Sequence, residues 1–193
     1  MVALSAVHEL SVERVEILEP HDMADLCDAT NAAIVDGGGF GWLEAQSRSS
    51  LERHFGGILL IPDREFFVAR LDREVVGSAQ LIRPPRHNEA QAFSAQLAHA
   101  FIAPYARGFG LARMLVRRVE QRAAALGLRV INLDVRATQT NAIALFEGLG
   151  YTRWGVHPAY ARSGGQTIPG YFYYRILELP GGRSTEAALG HIS

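Results

Sequence analysis

The 193-residue chain contains no lysine: all 19 of its basic residues are arginine. A lysine Schiff base and a phosphate loop built on a lysine are therefore outside its chemistry. Cysteine is nearly absent as well. Cys27 stands alone, which excludes an intrachain disulfide and a thiolate-rich metal site and fits a reducing compartment. Neither sign of charge is in excess, and a formal net charge of -1 argues against nucleic acid or an anionic membrane as the main partner. Long apolar runs are missing too. The segment "MVALSAVHELSVERVE" has no cationic start and reaches Glu9 before any useful apolar stretch, so it resembles neither a secretory signal nor a membrane span. The expectation is a cytoplasmic protein with no metal centre and no membrane or nucleic-acid partner.

What is present is 48% apolar content, enough for the core of one domain. A single domain is expected over residues 1–180, followed by a flexible tail over 181–193. Alternation in "VERVEILEP" predicts a strand stopped at Pro20, and "HDMADLCDATNAAIV" a helix. "DGGGFGW" breaks that helix, and "LEAQSRSSLERHF" predicts a second one. "EFFVARL" and "EVVGSAQLI", separated by "DR", read as a hairpin, and "QAFSAQLAHAFIAP" as a long strand. The clearest helix has Leu111, Ala112, Leu115, Val116, Val119, Ala123 and Leu126 on one face and ends at Gly127. "RVINLDV" reads as a buried strand, "TQTNAIALFEGLG" as a short helix, and "YTRWGVHPAY" and "TIPGYFYYRIL" as a final strand pair. The order gives an α/β (α+β mixed) fold: a central mixed sheet of about seven strands flanked by about four helices.

The stretch "FIAPYARGFGLARMLV" sets Arg107, Gly108 and Gly110 between a strand and that strongest helix. Helix N-termini leave amides unpaired and carry partial positive charge, so the pattern points to an anion site. One reading is a dinucleotide turn, since "GFGLAR" begins like G-x-G-x-x-G and Asp134 ends the next strand. Against it, Arg113 fills the third glycine position, where bulk opposes close helix–strand packing. A second reading is a bare turn, and a third is a pyrophosphate cradle of another kind.

The third reading agrees with a resemblance. Arg107, Gly110 and Ala112 fill the Q/R-x-x-G-x-G/A acyl-CoA pattern of the GNAT N-acetyltransferase superfamily. Downstream, "NAIALFEGLGY" supplies Asn141, Ala144, Phe146, Gly150 and Tyr151 at positions of that superfamily's second motif. The resemblance covers roughly residues 14–179. "DGGGFGW", "SAQL", "INLDV", "GYTRWGVHPAYA" and "YFYYRIL" also resemble, in order, segments of the tabtoxin-resistance type of small-molecule acetyltransferase.

The resemblance implies acetyl-CoA as co-substrate and direct transfer of its acetyl group to an amine in a ternary complex. It implies splayed strands, with Ile102 and Ala103 pairing the pantetheine arm. The amides of Gly108, Phe109, Gly110, Leu111 and Ala112 would hold the pyrophosphate, assisted by Arg107. Asn141 and Phe146 complete the implied cofactor site. A group must take a proton from the incoming ammonium ion. Relatives often place a glutamate where this chain has Gln96, which cannot act as a base but can orient water or the acceptor. Asp134 is the better candidate base. His99 titrates in the right range, but simple alternation puts it opposite Gln96, so only a bulge would bring it in. Phe146 occupies the place of a tyrosine that often protonates the leaving thiolate; Tyr151, Tyr160, Tyr171 and Tyr173 are nearby in the chain. The acceptor is expected between "DGGGFGWLE" and "PAYARSGGQTIPG", with Trp42, Glu44 and Tyr160 suited to a small cationic amine. Acetylation of a protein amine and a non-catalytic acyl-CoA-binding module are the rival readings, and the superfamily's frequent dimers leave a homodimer open.

Overall fold

A computed structural model describes residues 7–38 and 41–178. The expected tail over 181–193 and part of "DGGGFGW" lie outside the described residues. Seven strands and four helices follow one another as β1 (Leu10–Val15), α1 (Pro20–Val35), α2 (Arg48–Leu59), β2 (Arg64–Leu71), β3 (Glu74–Ile82), β4 (Ser94–Ile102), α3 (Leu111–Ala125), β5 (Val130–Arg136), α4 (Thr140–Gly148), β6 (Thr152–Ser163) and β7 (Gln166–Ile176). They form one mixed sheet in the order β1-β2-β3-β4-β5-β7-β6. All neighbours are antiparallel except β4 and β5, which run parallel with α3 as their crossover. Among the described residues no helix is long and apolar enough to cross a membrane.

The sheet separates two cores. On one face Leu111, Leu115, Val116, Val119 and Ala123 of α3 pack on Phe67, Ala69, Ala79, Leu81, Ala95, Leu97, Ile131 and Leu133. This is the apolar stripe legible in the sequence. On the other face Leu26 and Cys27 of α1 and Leu51, Phe55 and Ile58 of α2 pack on Phe66, Val68 and Val75. Strand alternation follows from this division. In β5, Ile131, Leu133 and Val135 are buried while Asn132, Asp134 and Arg136 are only half-buried, which leaves Asp134 on the α1–α2 face.

Some boundaries differ from the sequence reading, each for a physical reason. Pro20 opens α1 rather than stopping the first strand, because proline fits the first turn of a helix, where its missing N–H is not needed. Helix α2 starts after Ser47, whose hydroxyl accepts from the Ser50 amide at 3.2 Å, so "LEAQ" precedes the helix. Residues Glu89–Gln91 form a short 3-10 turn, and β4 begins only at Ser94. The final strand pair is present and runs further than the sequence reading: "PAYARSGGQTIPG", placed beside the acceptor, is the far arm of the β6–β7 hairpin, with β6 continuing to Ser163 and β7 starting at Gln166. Only Gly164 and Gly165 turn, at φ 56 and 77, as a tight hairpin turn with two left-handed residues requires. Pro158 is tolerated because β6 is the edge strand.

Candidate active site

Helix α3 opens on Gly110, whose φ of 83 is left-handed and which has no side chain to cap the first turn. Gly108 is left-handed as well, at φ 90. These are conformations in which an L side chain costs energy, so the glycines are required by the turn itself. The amides at the start of α3 then face a chamber of ≈ 580 Å³ bounded by Arg107, Gly108, Gly110, Leu111 and Ala112 together with Asn141 and Phe146 of α4. An anion is the natural occupant of such a helix start. The diphosphate of an acyl-CoA fits this donor set.

Not every residue expected at this cradle reaches it. Ala103 is fully buried, its N–H donating to Val76 O at 2.8 Å and its carbonyl accepting from the Ala106 amide at 2.9 Å, so it is not available to pair a ligand. Ile102, one residue earlier, does line the chamber. Phe109 directs its ring to His8, with centroids 4.9 Å apart. Arg107 pairs with Asp36 at 2.7 Å rather than standing free in solvent. Other ties hold the same stretch just after α1. Arg136 Nη2 donates to Gly38 O at 2.6 Å, and Gln139 Nε2 donates to Gly37 O.

Beside this chamber β4 and β5 separate. Among the described residues their ladder has rungs at Ser94–Val130, Ala95–Ile131 and Gln96–Asn132. Past that point a second chamber of ≈ 570 Å³ opens between residues 96–101 of β4 and 133–136 of β5, with Tyr160 and Arg162 of β6 on its far side. The two chambers share Ala100, Phe101, Gln139, Ala142 and Phe146, so they adjoin along that wall and together make up the cleft.

Asp134 is the hub of the second chamber. Gln96 Nε2 donates to its Oδ1 at 3.1 Å, and the Tyr160 hydroxyl donates to its Oδ2. Burial, and next the bond to Asp134, push the Tyr160 hydroxyl above the usual phenol range, so it remains a donor. Tyr160 reaches across β7 because of Gly170. A Cβ there would lie 2.2 Å from Tyr160 Cγ, so only glycine permits the crossing. A register shift in β6 between His157 and Ala161 provides the slack that swings Tyr160 over.

His99 is carried to the same place by a second bulge. Ser78 pairs with Phe101 whereas Gln80 pairs with Ala98, so β4 has one residue too many, and His99 takes φ 50. The alternation is reset: Gln96 precedes the bulge, Phe101 follows it, and both lie on the α1–α2 side. His99 shares that side. His99 is exposed and lines the cleft. Desolvation, then the positive surroundings of His54 and Arg64, lower its pKa, against a smaller opposing pull from Asp134.

Among the described residues, Tyr160 is the one of the four tyrosines singled out from the sequence that lines the cleft. Tyr173 donates to Glu147 at 3.0 Å, Tyr171 lies under Arg153, and Tyr151 packs edge-on against Phe146. Trp42 packs on His54 at 4.8 Å and belongs to the α1–α2 core; Glu44 is exposed and outside the cleft. Gly41 and Leu43 take their places in the wall. Sequence reasoning did not reach Phe101, Arg136, Arg162 or Gly170. The dipeptide "PG" at 169–170 is a turn signal, and nothing local marks it as space for a ring.

Comparisons with known proteins agree with this architecture. The acetyltransferase (GNAT) family model matches residues 28–151. An uncharacterised N-acetyltransferase from the hisH-hisA intergenic region of Azospirillum brasilense is 51% identical over 131 residues, covering 68% of this chain and 78% of that protein. Among solved structures, an N-acetyltransferase from Staphylococcus aureus superposes with a TM-score of 0.74 at 18% identity, covering 88% of this chain and 99% of the other. A GNAT superfamily phosphinothricin acetyltransferase from Sinorhizobium meliloti, solved with AcCoA, superposes with a TM-score of 0.72 at 22% identity, covering 92% and 94%. With the family model spanning both the glycine turn at the start of α3 and the diverging strands beside it, the chain belongs to the GNAT acetyltransferase family.

Proposed function

We propose that the protein transfers the acetyl group of acetyl-CoA directly to the amine of a small molecule. The observation that carries the reading is that the two chambers adjoin at a shared wall. One chamber ends at the uncapped start of α3, suited to a diphosphate, and the other ends at a carboxylate, Asp134, suited to an ammonium ion. The shared stretch at Ala100, Phe101 and Phe146 is where thioester and amine would meet.

Within this reading Ile102, Gly108, Gly110, Leu111, Ala112 and Asn141 hold the cofactor, with the amide of Phe109 and the guanidinium of Arg107 beside them. Gln96, His99 and Asp134 serve the amine. No metal is required, because an uncharged amine is nucleophile enough for a thioester once a proton acceptor is at hand. Phe146 has no hydroxyl to protonate the leaving thiolate, and the weak basicity of a thiolate lets it depart without one. The setting proposed is the cytoplasm.

The test is turnover. The protein is incubated with acetyl-CoA and a panel of small amines, with free thiol as the readout and a peptide set alongside for protein acetylation. Thiol release that depends on a small amine supports the reading. Release only with peptides moves the acceptor to protein, and tight CoA binding without turnover leaves an acyl-CoA-binding module. Thermal protection by NAD instead of acetyl-CoA would return the turn to a dinucleotide role.

A further inference from the structure

We infer that His99 is the group that takes the proton from the acceptor's ammonium ion, and that Asp134, held by Gln96 and Tyr160, anchors that ammonium without taking its proton. The assignment rests on the acetyltransferase reading above and divides the work between two residues that the sequence alone leaves as competitors.

The first observation is the bonding of Asp134. Each carboxylate oxygen already accepts one hydrogen bond, from Gln96 Nε2 on Oδ1 and from the Tyr160 hydroxyl on Oδ2. A carboxylate has about four lone-pair sites, so an ammonium can still be received at those that remain. Taking up the proton would remove the negative charge on which both existing bonds depend. The arrangement is that of a cation holder. Tyr160 is itself fixed for this task by the missing side chain of Gly170, so the bond is built into the hairpin.

The second observation is the bulge. A histidine at φ 50 stands in a left-handed conformation that L residues seldom adopt, and the ladder to β3 skips a residue to accommodate it. Immediately beyond, Gly77 lets the strands close up again: a Cβ there would lie 2.3 Å from Phe101 O. Without the bulge, His99 would face the α3 core. With it, the ring enters the chamber that holds Gln96, Asp134 and Tyr160.

The charged and titratable groups around the ring come from several elements. His54 projects from α2 and Arg64 from the start of β2; Asp134 and Arg136 lie on β5, and Tyr160 and Arg162 on β6. Arg64 is held by the buried Gln80, with Nη1 to Oε1 at 2.9 Å, so its charge is fixed behind the ring. Desolvation first, and then the charges of His54 and Arg64, favour the neutral imidazole, the form that can accept a proton.

The neutral His99 ring takes one proton from R–NH3+, giving R–NH2 and an imidazolium. The amine lone pair forms the C–N bond to the acetyl carbon as the C–S bond breaks, and its electron pair leaves on sulfur. The second proton of the nitrogen ends on that thiolate, giving amide and CoA thiol, and the imidazolium returns its proton to solvent.

The experiment compares pH profiles of kcat/KM for the wild type, His99→Asn, His99→Gly and Asp134→Asn with an amine that the wild type acetylates. Asparagine and glycine both tolerate the left-handed backbone, so the bulge is retained. The expected result for His99→Asn is a loss of about 10²–10³-fold with disappearance of the acidic limb of the profile. Added imidazole should restore part of the rate in His99→Gly. Asp134→Asn should raise the amine KM tenfold or more and keep the limb. An acidic limb that persists in His99→Asn and vanishes in Asp134→Asn overturns the assignment while leaving the acetyltransferase reading intact. Wild-type protein that acetylates no amine overturns both. As a check without turnover, NMR titration of the histidine rings should find His99 neutral at pH 7, and a protonated ring there refutes the assignment.

Discussion

Gly170→Ala is the substitution that most sharply separates the built-in geometry of the site from mere hairpin chemistry. The added methyl would stand 2.2 Å from Tyr160 Cγ and 2.6 Å from both Cδ atoms, whereas real Cβ contacts essentially never fall below 3.0 Å. Because the backbone at Gly170 is not left-handed, alanine brings no strain of its own, and the collision with the ring is the whole effect. Either the ring leaves or β6 and β7 part. Overpacking of this kind costs about 1–3 kcal/mol, and in a chain of this size each kcal/mol lowers Tm by roughly 2–4 °C. If the ring leaves, Asp134 loses the hydroxyl that holds Oδ2. A hydrogen bond to a charged group is worth about 1.5–3 kcal/mol, so the amine KM should rise tenfold or more. The acetyl-CoA affinity should hardly change, since Gly170 does not line the chamber at the start of α3. Tyr160→Phe is the comparator: it removes the hydroxyl, keeps the ring, and should reproduce the KM effect with little of the Tm loss. Differential scanning fluorimetry and steady-state kinetics read both quantities. Gly170→Ala with unchanged Tm and unchanged amine KM would refute the role given to this glycine and to the Tyr160–Asp134 bond.

Other perturbations follow from the same geometry. Gly110→Ala forces an L residue to φ 83 at the start of α3; it should destabilise the fold by about 1–2 kcal/mol and weaken acetyl-CoA, measured by calorimetric titration. Asp36→Asn releases Arg107 from its ion pair and removes a negative charge from the chamber expected to receive a diphosphate. Exposed pairs of this kind are worth up to about 1 kcal/mol, so acetyl-CoA should bind up to about fivefold tighter with little change in Tm. Burial raises the Tyr173 hydroxyl to about 12, and Tyr151 and Tyr160 are also raised. A raised folded pKa means the folded state keeps protons the unfolded chain has lost. Stability is therefore fully present below about pH 10 and falls above it, by at most about 1.4 kcal/mol per pH unit for each such tyrosine. Urea titrations from pH 8 to 11 should show that decline, and Tyr173→Phe should flatten it.

The glycine turn and α3 were legible because their signals are local: a 3.6-residue apolar period and two glycines whose positive φ few other residues adopt cheaply. The place of Asp134 was legible for the same reason, as one step in the alternation of a short strand. His99 was not. Alternation sets it opposite Gln96, and only the cross-strand register with β3, loosened at the bulge and tightened again at Gly77, turns it over. The β6–β7 pair was legible, but its last residues, 161–163 and 166, were not, since Gly164 and Gly165 read as part of a longer loop. An edge strand tolerates proline, and two glycines suffice for a tight hairpin. Trp42 and Glu44 looked like acceptor contacts by residue type, and packing assigns Trp42 to His54 and leaves Glu44 in solvent. The link from Tyr160 to Asp134 spans 26 residues and depends on a vacancy at Gly170. No local pattern encodes such an arrangement.

The central claim is that a diphosphate-binding turn and an ammonium-binding chamber form one cleft in which acetyl moves from sulfur to nitrogen. Its most direct test is release of CoA thiol from acetyl-CoA as small amines are added one by one. The account predicts saturable, amine-dependent release above the rate of hydrolysis, with the acetylated amine recovered in equal amount. Tight binding of acetyl-CoA with no amine raising thiol release above hydrolysis would contradict it.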